Sequence, residues 1–176
     1  MEGRGNQPEG QGVRAMIVQL SGPWAIVINI AAWLVIHLGV STWTARMRAD
    51  SFDPQSWLYR RRTWERGGRV YKRLLKVKKW KRLLPDGAVV FKGGFRKKHL
   101  GKADAPYIRR FVLETCRAEF THWVMLLFAL IFFLWNDWWI GLIMVAYGLA
   151  VNMPCIITQR YNRIRLQRMY ERYRRS

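Results

Sequence analysis

Three long apolar stretches alternate with basic segments along this chain of 176 residues. The first stretch covers residues 23–44 and contains no Asp, Glu, Lys or Arg. Its 22 residues are enough to cross a hydrocarbon core of about 30 Å. The stretch is longer than the apolar core of a signal peptide, and no small-residue cleavage site follows it. It therefore predicts a retained transmembrane helix.

The other two stretches form one apolar block, residues 121–158, interrupted only by Asn136-Asp137. Three tryptophans flank this interruption, and tryptophan favours the membrane interface, while Asn and Asp favour turns. The block therefore predicts a helical hairpin with arms over residues 116–135 and 138–158. The predicted fold is an all-α integral membrane protein with about three transmembrane helices and a basic amphipathic cytoplasmic segment.

The charge distribution predicts the orientation. The formal net charge is +20, and residues 45–110 carry 21 Lys and Arg against five acids. The tail, residues 159–176, carries seven Arg against one Glu, whereas the N-terminal 22 residues carry two Arg and two Glu. The positive-inside rule places the loop and the tail in the cytoplasm. The Gly- and Gln-rich N-terminus, predicted to be disordered, and the hairpin tip lie outside.

Within the basic region, residues 64–84 place Val70, Leu74, Val77 and Leu84 on one helical stripe. This spacing predicts an amphipathic helix in the headgroup plane, ended by Pro85, with Trp80 beside the membrane-facing stripe. A short extended hairpin around Gly93-Gly94 would follow. The cations either anchor the protein to anionic lipid or also receive an anionic substrate, such as the phosphates of an acyl-CoA.

Ionisable groups at membrane depth are costly and raise functional hypotheses. Glu119 and His122 are three residues apart on one helix face. Residues equally far from the hairpin turn lie at the same level in its two arms, and this places His122 beside Asn152. Pro154, close to Asn152 in sequence, has no backbone N–H to donate and loosens its helix turn. The outer halves of the two arms, residues 124–135 and 138–149, contain no Asp, Glu, Lys, Arg or His. The sequence therefore predicts a polar pocket open to the cytoplasm and closed to the outside.

Structural alternatives exist for each of these residues. Glu114, Arg117 and Arg160 also fit an interfacial ion-pair network. His122 could be a packing residue, and Asn152 could only satisfy the carbonyl freed by Pro154. His37 stands alone in an apolar run and is interpreted as structural. A further sequence pattern, His99 with Asp104 five residues on, fits the His-x-x-x-x-Asp motif of glycerolipid acyltransferases without the residues that usually surround it.

Several stretches together resemble the glycosyl-4,4'-diaponeurosporenoate acyltransferases, which complete the pigment staphyloxanthin. They are KKWKRLLPDG at residues 78–87, the pair His99-Leu100, ETCRAEFTHW at residues 114–123 and NMPCIITQRYNRIRL at residues 152–166. The resemblance implies a membrane enzyme that esterifies a sugar hydroxyl of a glycosylated carotenoid with a fatty acyl chain. It also implies a bacterial, multi-pass cell-membrane protein.

These stretches supply the candidate site residues. The candidate catalytic residues are His122, Glu119, Asn152 and Arg160. The candidate substrate-binding residues are Glu114, Arg117, Gln159, Tyr161, Asn162, Arg163, Arg165, His99, Lys79 and Trp80. We expect no metal and no cofactor besides the acyl donor, an acyl-CoA or acyl carrier protein thioester. The expected partners are membrane lipids, this donor and a lipid or glycolipid acceptor, with no nucleic acid.

Direct transfer is favoured over a covalent intermediate, because the sequence has no Gly-x-Ser-x-Gly elbow. Neither Cys116 nor Cys155 has a basic neighbour placed by spacing to activate it. His122 is the candidate base, and Glu119 is expected to fix its tautomer. Asn152 or Arg160 would stabilise the oxyanion, and Arg163, Arg165 and the loop lysines would hold the donor's phosphates.

Three other functions remain possible from the sequence. A non-catalytic lipid-binding or scaffold protein would use the same cations and hairpin but would tolerate loss of His122 and Glu119. A protein that docks RNA or a ribosome needs aromatic residues exposed among the cations, such as Trp57 and Trp64. A transporter is disfavoured, since the outer half is closed and no inverted repeat is visible.

Overall fold

A computed structural model describes residues 22–81, 83–84 and 105–174. Within these residues the chain is helical and forms no strand, and three helices are long and apolar enough to cross a membrane. The predicted fold class is confirmed. The α-helices are α1 (Gly22–Ala45), α2 (Arg69–Arg73), α3 (Val77–Trp80), α4 (Ala105–Phe128) and α5 (Trp138–Tyr173). A 3₁₀ segment, Ala129–Leu134, continues α4 to the hairpin turn.

The third long helix is much longer than its apolar sequence. Helix α5 has 36 residues and passes through Pro154 into the basic tail. At about 1.5 Å per residue it measures roughly 54 Å, well beyond a hydrocarbon core of about 30 Å. The basic tail therefore continues α5 as several helical turns outside the membrane. These turns provide the surface on which the loop after α1, residues 46–81, packs.

Helix α1 divides its apolar residues between lipid and protein. Ile26, Ile30, Leu34 and Leu38 recur every four residues and are exposed, so they form a stripe on the side that would face lipid. The opposite side packs into a core shared with the hairpin, made of Trp33, Ile36, Val40, Met125, Ala129 and Phe132. Apolar residues on both sides fit a helix at the edge of a membrane bundle.

A glycine lets α1 approach α5 closely. A Cβ at Gly148 would lie 2.9 Å from the Trp33 ring, too close for any larger residue without a shift. Trp33 also stacks on His37, with ring centroids 5.4 Å apart. This contact supports the interpretation of His37 as a packing residue.

An amide pair joins the N-terminal third of α1 to the hairpin turn. Asn29 and Asn136 exchange two hydrogen bonds of 3.0 and 2.9 Å, and the Trp135 indole donates a third to Asn29 over 2.8 Å. Both asparagines are buried. Amide side chains are costly to bury without partners, so these reciprocal bonds fix the end of α1 opposite the basic segments.

The basic segment after α1 differs from the predicted continuous amphipathic helix. Residues 63–80 form a 3₁₀ segment (Thr63–Gly68) and the short helices α2 and α3. Left-handed backbone at Arg66, Gly67 and Gly68, and again at Lys76, interrupts the helix, because an L-residue helix cannot continue through such φ angles. The predicted stripe is therefore divided between separate elements.

Packing against α5 explains why this segment folds back on the protein. Val77 and Tyr71 are buried against Tyr161 and Ile164 of α5, so they face protein, while Leu74 is 75% exposed. Trp80, expected to face the membrane, is half-buried beside them and donates from its indole to the Leu75 carbonyl over 2.7 Å. The predicted turn at Gly93-Gly94, the N-terminal 21 residues and the His99/Asp104 pair lie outside the described residues.

Candidate functional site

A histidine and an asparagine meet between the two arms of the hairpin. His122 of α4 places Nδ1 2.9 Å from Oδ1 of Asn152 on α5. Asn152 is fully buried and His122 is half-buried. The contact joins residues 30 positions apart at the level where reflection through the turn predicted them to meet.

The neighbouring bond of Asn152 determines the tautomer of His122. The Asn152 amide nitrogen donates to the Gly148 carbonyl over 2.9 Å, which leaves Oδ1 to face the imidazole. An amide oxygen only accepts, so Nδ1 of His122 carries the proton and donates to it. In the neutral imidazole the other ring nitrogen, Nε2, then holds the lone pair. Nε2 is therefore the ring nitrogen at which neutral His122 would accept a proton.

Glu119 does not make the contact expected of it. It was predicted to fix the His122 tautomer, but its carboxylate accepts from Arg160 over 3.0 Å, from Arg163, and from the Trp123 indole over 3.3 Å. Asn152 occupies the tautomer-fixing position instead. The physical reason is charge: a carboxylate that is 0% exposed needs a cation beside it, and the α5 arginines supply two.

Arg160 connects Glu119 to a second buried carboxylate, Glu65, to which its Nε donates over 3.0 Å. Its remaining bonds go to Glu119 and to the Leu58 and Arg60 carbonyls. Glu65, Glu119, Arg160 and Arg163 thus form a buried, charge-balanced ion network that ties the loop after α1 to α4 and α5. The guanidinium groups of Arg160 and Arg163 lie inside this network, so the expected oxyanion and phosphate roles do not match their observed partners.

Glu65 was not among the predicted site residues. Burial alone would raise the pKa of Glu65, but bonds from the Arg62 backbone N–H, the Tyr71 hydroxyl and Arg160 outweigh it and hold the pKa below its usual value. The Tyr71 hydroxyl donates over 2.5 Å. Burial raises the pKa of Tyr71, and the bond to Glu65 raises it further, so the phenol stays protonated. The sequence holds one feature that could have singled out Glu65: it is the only acid between Asp53 and Asp86.

Glu114 and Arg117 form an ion pair within α4, with 2.5 Å between the charged atoms. Arg117 also donates to the Ala45 and Met47 carbonyls at the end of α1, over 3.3 and 3.2 Å. The pair therefore holds the end of α1 against α4. The ion-pair alternative had grouped Arg160 with these two residues, but Arg160 bonds to Glu65 and Glu119 instead.

The other predicted substrate-binding residues lie on the part of α5 beyond the apolar stretch, and on α3. Tyr161 is buried, and the Lys81 ammonium and the Arg165 guanidinium lie 5.5 and 5.6 Å from its ring centre. Asn162 accepts from Lys81 over 3.3 Å. Lys79 and Arg165 are exposed, and Gln159 is half-buried. The structure thus brings the predicted residues together in separate groups: His122 with Asn152, Glu119 with Arg160 and Arg163, Glu114 with Arg117, and Arg165 with Tyr161.

Three helices able to span a bilayer, with a histidine–amide pair and a buried ion network between them, define a multi-pass integral membrane protein with a polar interior site. A family model described as glycosyl-4,4'-diaponeurosporenoate acyltransferase matches residues 54–172. The chain belongs to this family, and it is an acyltransferase.

Curated relatives carry the same description. The chain is 30% identical to a glycosyl-4,4'-diaponeurosporenoate acyltransferase of Staphylococcus haemolyticus (strain JCSC1435) over 145 residues, which are 82% of this chain and 84% of the relative. It is 28% identical to those of Staphylococcus aureus strains N315 and USA300 over 137 residues, 78% of this chain and 82% of each relative. No solved structure matches the chain.

Proposed function

We propose that the protein transfers a fatty acyl group from a thioester donor to a hydroxyl of a lipid-linked sugar. The family points to a glycosylated carotenoid as the acceptor, and the donor class follows from acyl-transfer chemistry. The observation that carries the mechanism is the His122–Asn152 pair. In the neutral form of His122 this pair leaves the lone pair on Nε2, and we assign Nε2 the role of base toward a lipid-borne hydroxyl.

In the proposed reaction, Nε2 of His122 removes the proton of the sugar hydroxyl while the hydroxyl oxygen attacks the thioester carbonyl. The carbon–sulfur bond then breaks, and the proton passes from Nε2 to the departing thiolate. Asn152 holds Nδ1–H throughout and stabilises the transient imidazolium, whose positive charge offsets the oxyanion beside it. No covalent acyl-enzyme is needed, and His122 returns to its starting state.

Beyond His122, toward the hairpin turn, α4 exposes apolar side chains that suit long apolar substrates. Downstream of it on α4, Leu127 is 67% exposed and Phe128 is 46% exposed. Trp123, next to His122, is also exposed. We assign the acyl chain and the carotenoid to this lipid-facing side, from which an acceptor can enter laterally. The proposed orientation has the N-terminus outside and the C-terminus in the cytoplasm of a bacterial cell.

Two substitutions at His122 test the mechanism. His122→Ala removes the base, and His122→Gln removes it while keeping an N–H donor for Asn152, so its fold should be less disturbed. Both should lower the rate of acylation of a glycosylated carotenoid by about 100-fold or more, the usual contribution of a general base. Extraction of cell pigment and mass spectrometry of the acylated and non-acylated glycolipid would measure it.

The matched control is His37→Phe, which changes the intramembrane histidine of α1 but keeps an aromatic ring against Trp33. This variant should retain activity close to that of the wild type. Full activity in His122→Gln would exclude His122 as the base.

A further inference from the structure

A basic cavity of about 710 Å³ lies where the end of α1, the start of α4 and the far end of α5 come together. Five arginines line it: Arg46, Arg48, Arg109, Arg110 and Arg117. Two carboxylates, Asp50 and Glu114, also line it, together with Tyr170. The volume falls in the range of small-molecule sites, which is about 300–1,000 Å³.

Three of the five arginines of this basic cavity have no counter-charge among the residues that the structure describes. Glu114 is engaged by Arg117, which also donates to two carbonyls of the segment after α1. Arg46, Arg48 and Arg109 are exposed, and none of their guanidinium groups makes an ion pair or hydrogen bond with a residue of the described parts of the chain. Among the described residues of the wall, Asp50 is the one other carboxylate. The cavity is therefore strongly positive and offers guanidinium donors that are free to bind.

Guanidinium groups with free donors bind phosphate oxygens, often in bidentate pairs. Here they converge from different elements: Arg46 and Arg48 follow α1, and Arg109 stands in the first turns of α4. Such convergence lets one anion contact several arginines at once, which a linear basic stretch does not provide. A nucleotide-sized molecule with several phosphates matches both the charge and the volume.

Position on α4 connects this cavity to the proposed chemistry. Arg109 and His122 are 13 residues apart on one helix, about 20 Å along its axis. The extended pantetheine arm of coenzyme A is of comparable length and separates the thioester from the nucleotide phosphates. Arg109 and His122 project from faces of α4 about 140° apart, so a donor with its phosphates beside Arg109 would pass around α4 to present its thioester near His122.

We propose that this basic cavity binds the nucleotide phosphates of a coenzyme A thioester, with Arg46, Arg48 and Arg109 as the principal contacts. The inference rests on the proposed function, which requires an acyl donor. It locates the donor at residues different from those expected from the sequence, since Arg163 is buried in the ion network. Arg46 and Arg48 also precede the residues that the family model matches.

Binding of a radiolabelled long-chain acyl-CoA to the full chain, held in nanodiscs of zwitterionic phospholipid, tests the proposal. The variant Arg46→Gln/Arg109→Gln should weaken binding roughly tenfold or more, because at least two charge-assisted contacts are lost. The control Lys72→Gln/Arg73→Gln removes the same charge from exposed positions on α2 and should change binding less than twofold. In turnover assays, Arg46→Gln/Arg109→Gln (the cavity variant) should show a raised KM for the donor with little change in kcat.

Two further ligands identify what the cavity recognises. An acyl-pantetheine without phosphates should bind weakly and equally to the wild type and the cavity variant; tight binding to the wild type would overturn the proposal. Anionic phospholipid co-purified with each protein would be quantified by mass spectrometry. Loss of that lipid from the cavity variant, with unchanged acyl-CoA binding, would assign the cavity to a headgroup and overturn the proposal.

The role of His122 as the base and the donor site in the basic cavity can be refuted independently of each other. The variant His122→Gln should bind acyl-CoA like the wild type but turn it over about 100-fold more slowly or worse. Turnover by His122→Gln at the wild-type rate would refute the base while leaving the binding comparison valid. Unchanged acyl-CoA affinity in Arg46→Gln/Arg109→Gln would refute the donor site, whatever the result at His122.

Discussion

Asn152 accepts a hydrogen bond from Nδ1 of His122 over 2.9 Å, across the interface between the two arms of the hairpin. The amide is itself held by its bond to the Gly148 carbonyl, so it cannot rotate without losing a buried partner. This bond makes His122 a ring of fixed tautomer and orientation, with Nε2 unprotonated. In the proposed mechanism Asn152 is therefore a positioning residue that acts through His122.

Removing this amide should slow the reaction without removing the base. We expect Asn152→Ala to lower kcat by about 10- to 100-fold, less than the loss of His122 itself, because the ring becomes free to choose the wrong tautomer. The double variant His122→Ala/Asn152→Ala should be no slower than His122→Ala alone. Steady-state kinetics of all three proteins would measure the coupling, and additive losses would contradict a positioning role.

The ion network predicts a large stability effect at Glu119. The variant Glu119→Gln leaves Arg163 buried without its counter-charge and should destabilise the fold by about 3–5 kcal/mol. The thermal midpoint in detergent should fall by roughly 10 °C or more. The control is Glu171→Gln, which breaks the exposed pair of Glu171 with Arg61 and should cost less than about 1 kcal/mol.

A second variant separates charge imbalance from lost packing. The double substitution Glu119→Leu/Arg163→Met removes both charges of one buried pair and should be less destabilising than Glu119→Gln alone. The same thermal scans would compare them. A double variant at least as unstable as the single one would show that packing around Glu119, rather than the ion pair, holds the helices.

Glu65 predicts a pH dependence of stability. Its folded pKa lies below the usual value of 4.5, so ionised Glu65 stabilises the fold above that pH. This stabilisation is lost as the pH falls through the folded pKa. Thermal midpoints between pH 3.5 and 7 should therefore decline toward acid in the wild type, and more shallowly in Glu65→Gln, which starts from a lower value. Equal declines in the two proteins would rule out Glu65 as a contributor.

The apolar stretches of the sequence predicted the membrane helices. Counting residues outward from the hairpin turn predicted one polar contact, because both arms are regular helices. A hairpin with a turn at Asn136-Asp137 has only one register, and this register brings His122 beside Asn152. Charge alternation along the sequence likewise separated the membrane helices from the basic segments. These features follow from local sequence, so a single chain is enough to derive them.

The partners of Glu119 could not be predicted in the same way. They depend on α5 continuing as one helix past Pro154 and on the loop after α1 folding back against it. The loop folds back through residues with left-handed backbone such as Lys76, and nothing about a lysine in the sequence predicts that conformation. The apolar residues of 64–84 do recur at helical spacing, which predicted one helix lying in the headgroup plane. Instead, Val77 is buried against α5, and this tertiary packing overrides the local pattern.

The amide pair at the other end of the bundle should stabilise the attachment of α1. Asn29→Ala leaves Asn136 with only its bond to the Phe132 carbonyl and should destabilise the bundle by about 1 kcal/mol. Because the two amides bond to each other, Asn29→Ala/Asn136→Ala should cost less than the sum of the single substitutions. Denaturant unfolding in mixed micelles would measure the cycle, and strictly additive costs would contradict a direct coupling.

The proposed orientation makes opposite predictions for the two ends of α5. Asp137, at the hairpin turn, and Arg172, in the last turn, are both exposed, so a cysteine is accessible at either position. If the basic segments are cytoplasmic, Asp137→Cys should react with a membrane-impermeant maleimide in intact cells. Arg172→Cys should react only after permeabilisation. The wild-type chain, with buried Cys116 and half-buried Cys155, provides the background. Labelling of Arg172→Cys in intact cells, with Asp137→Cys protected, would invert the topology and move the basic cavity to the outer face, away from any cytoplasmic acyl donor.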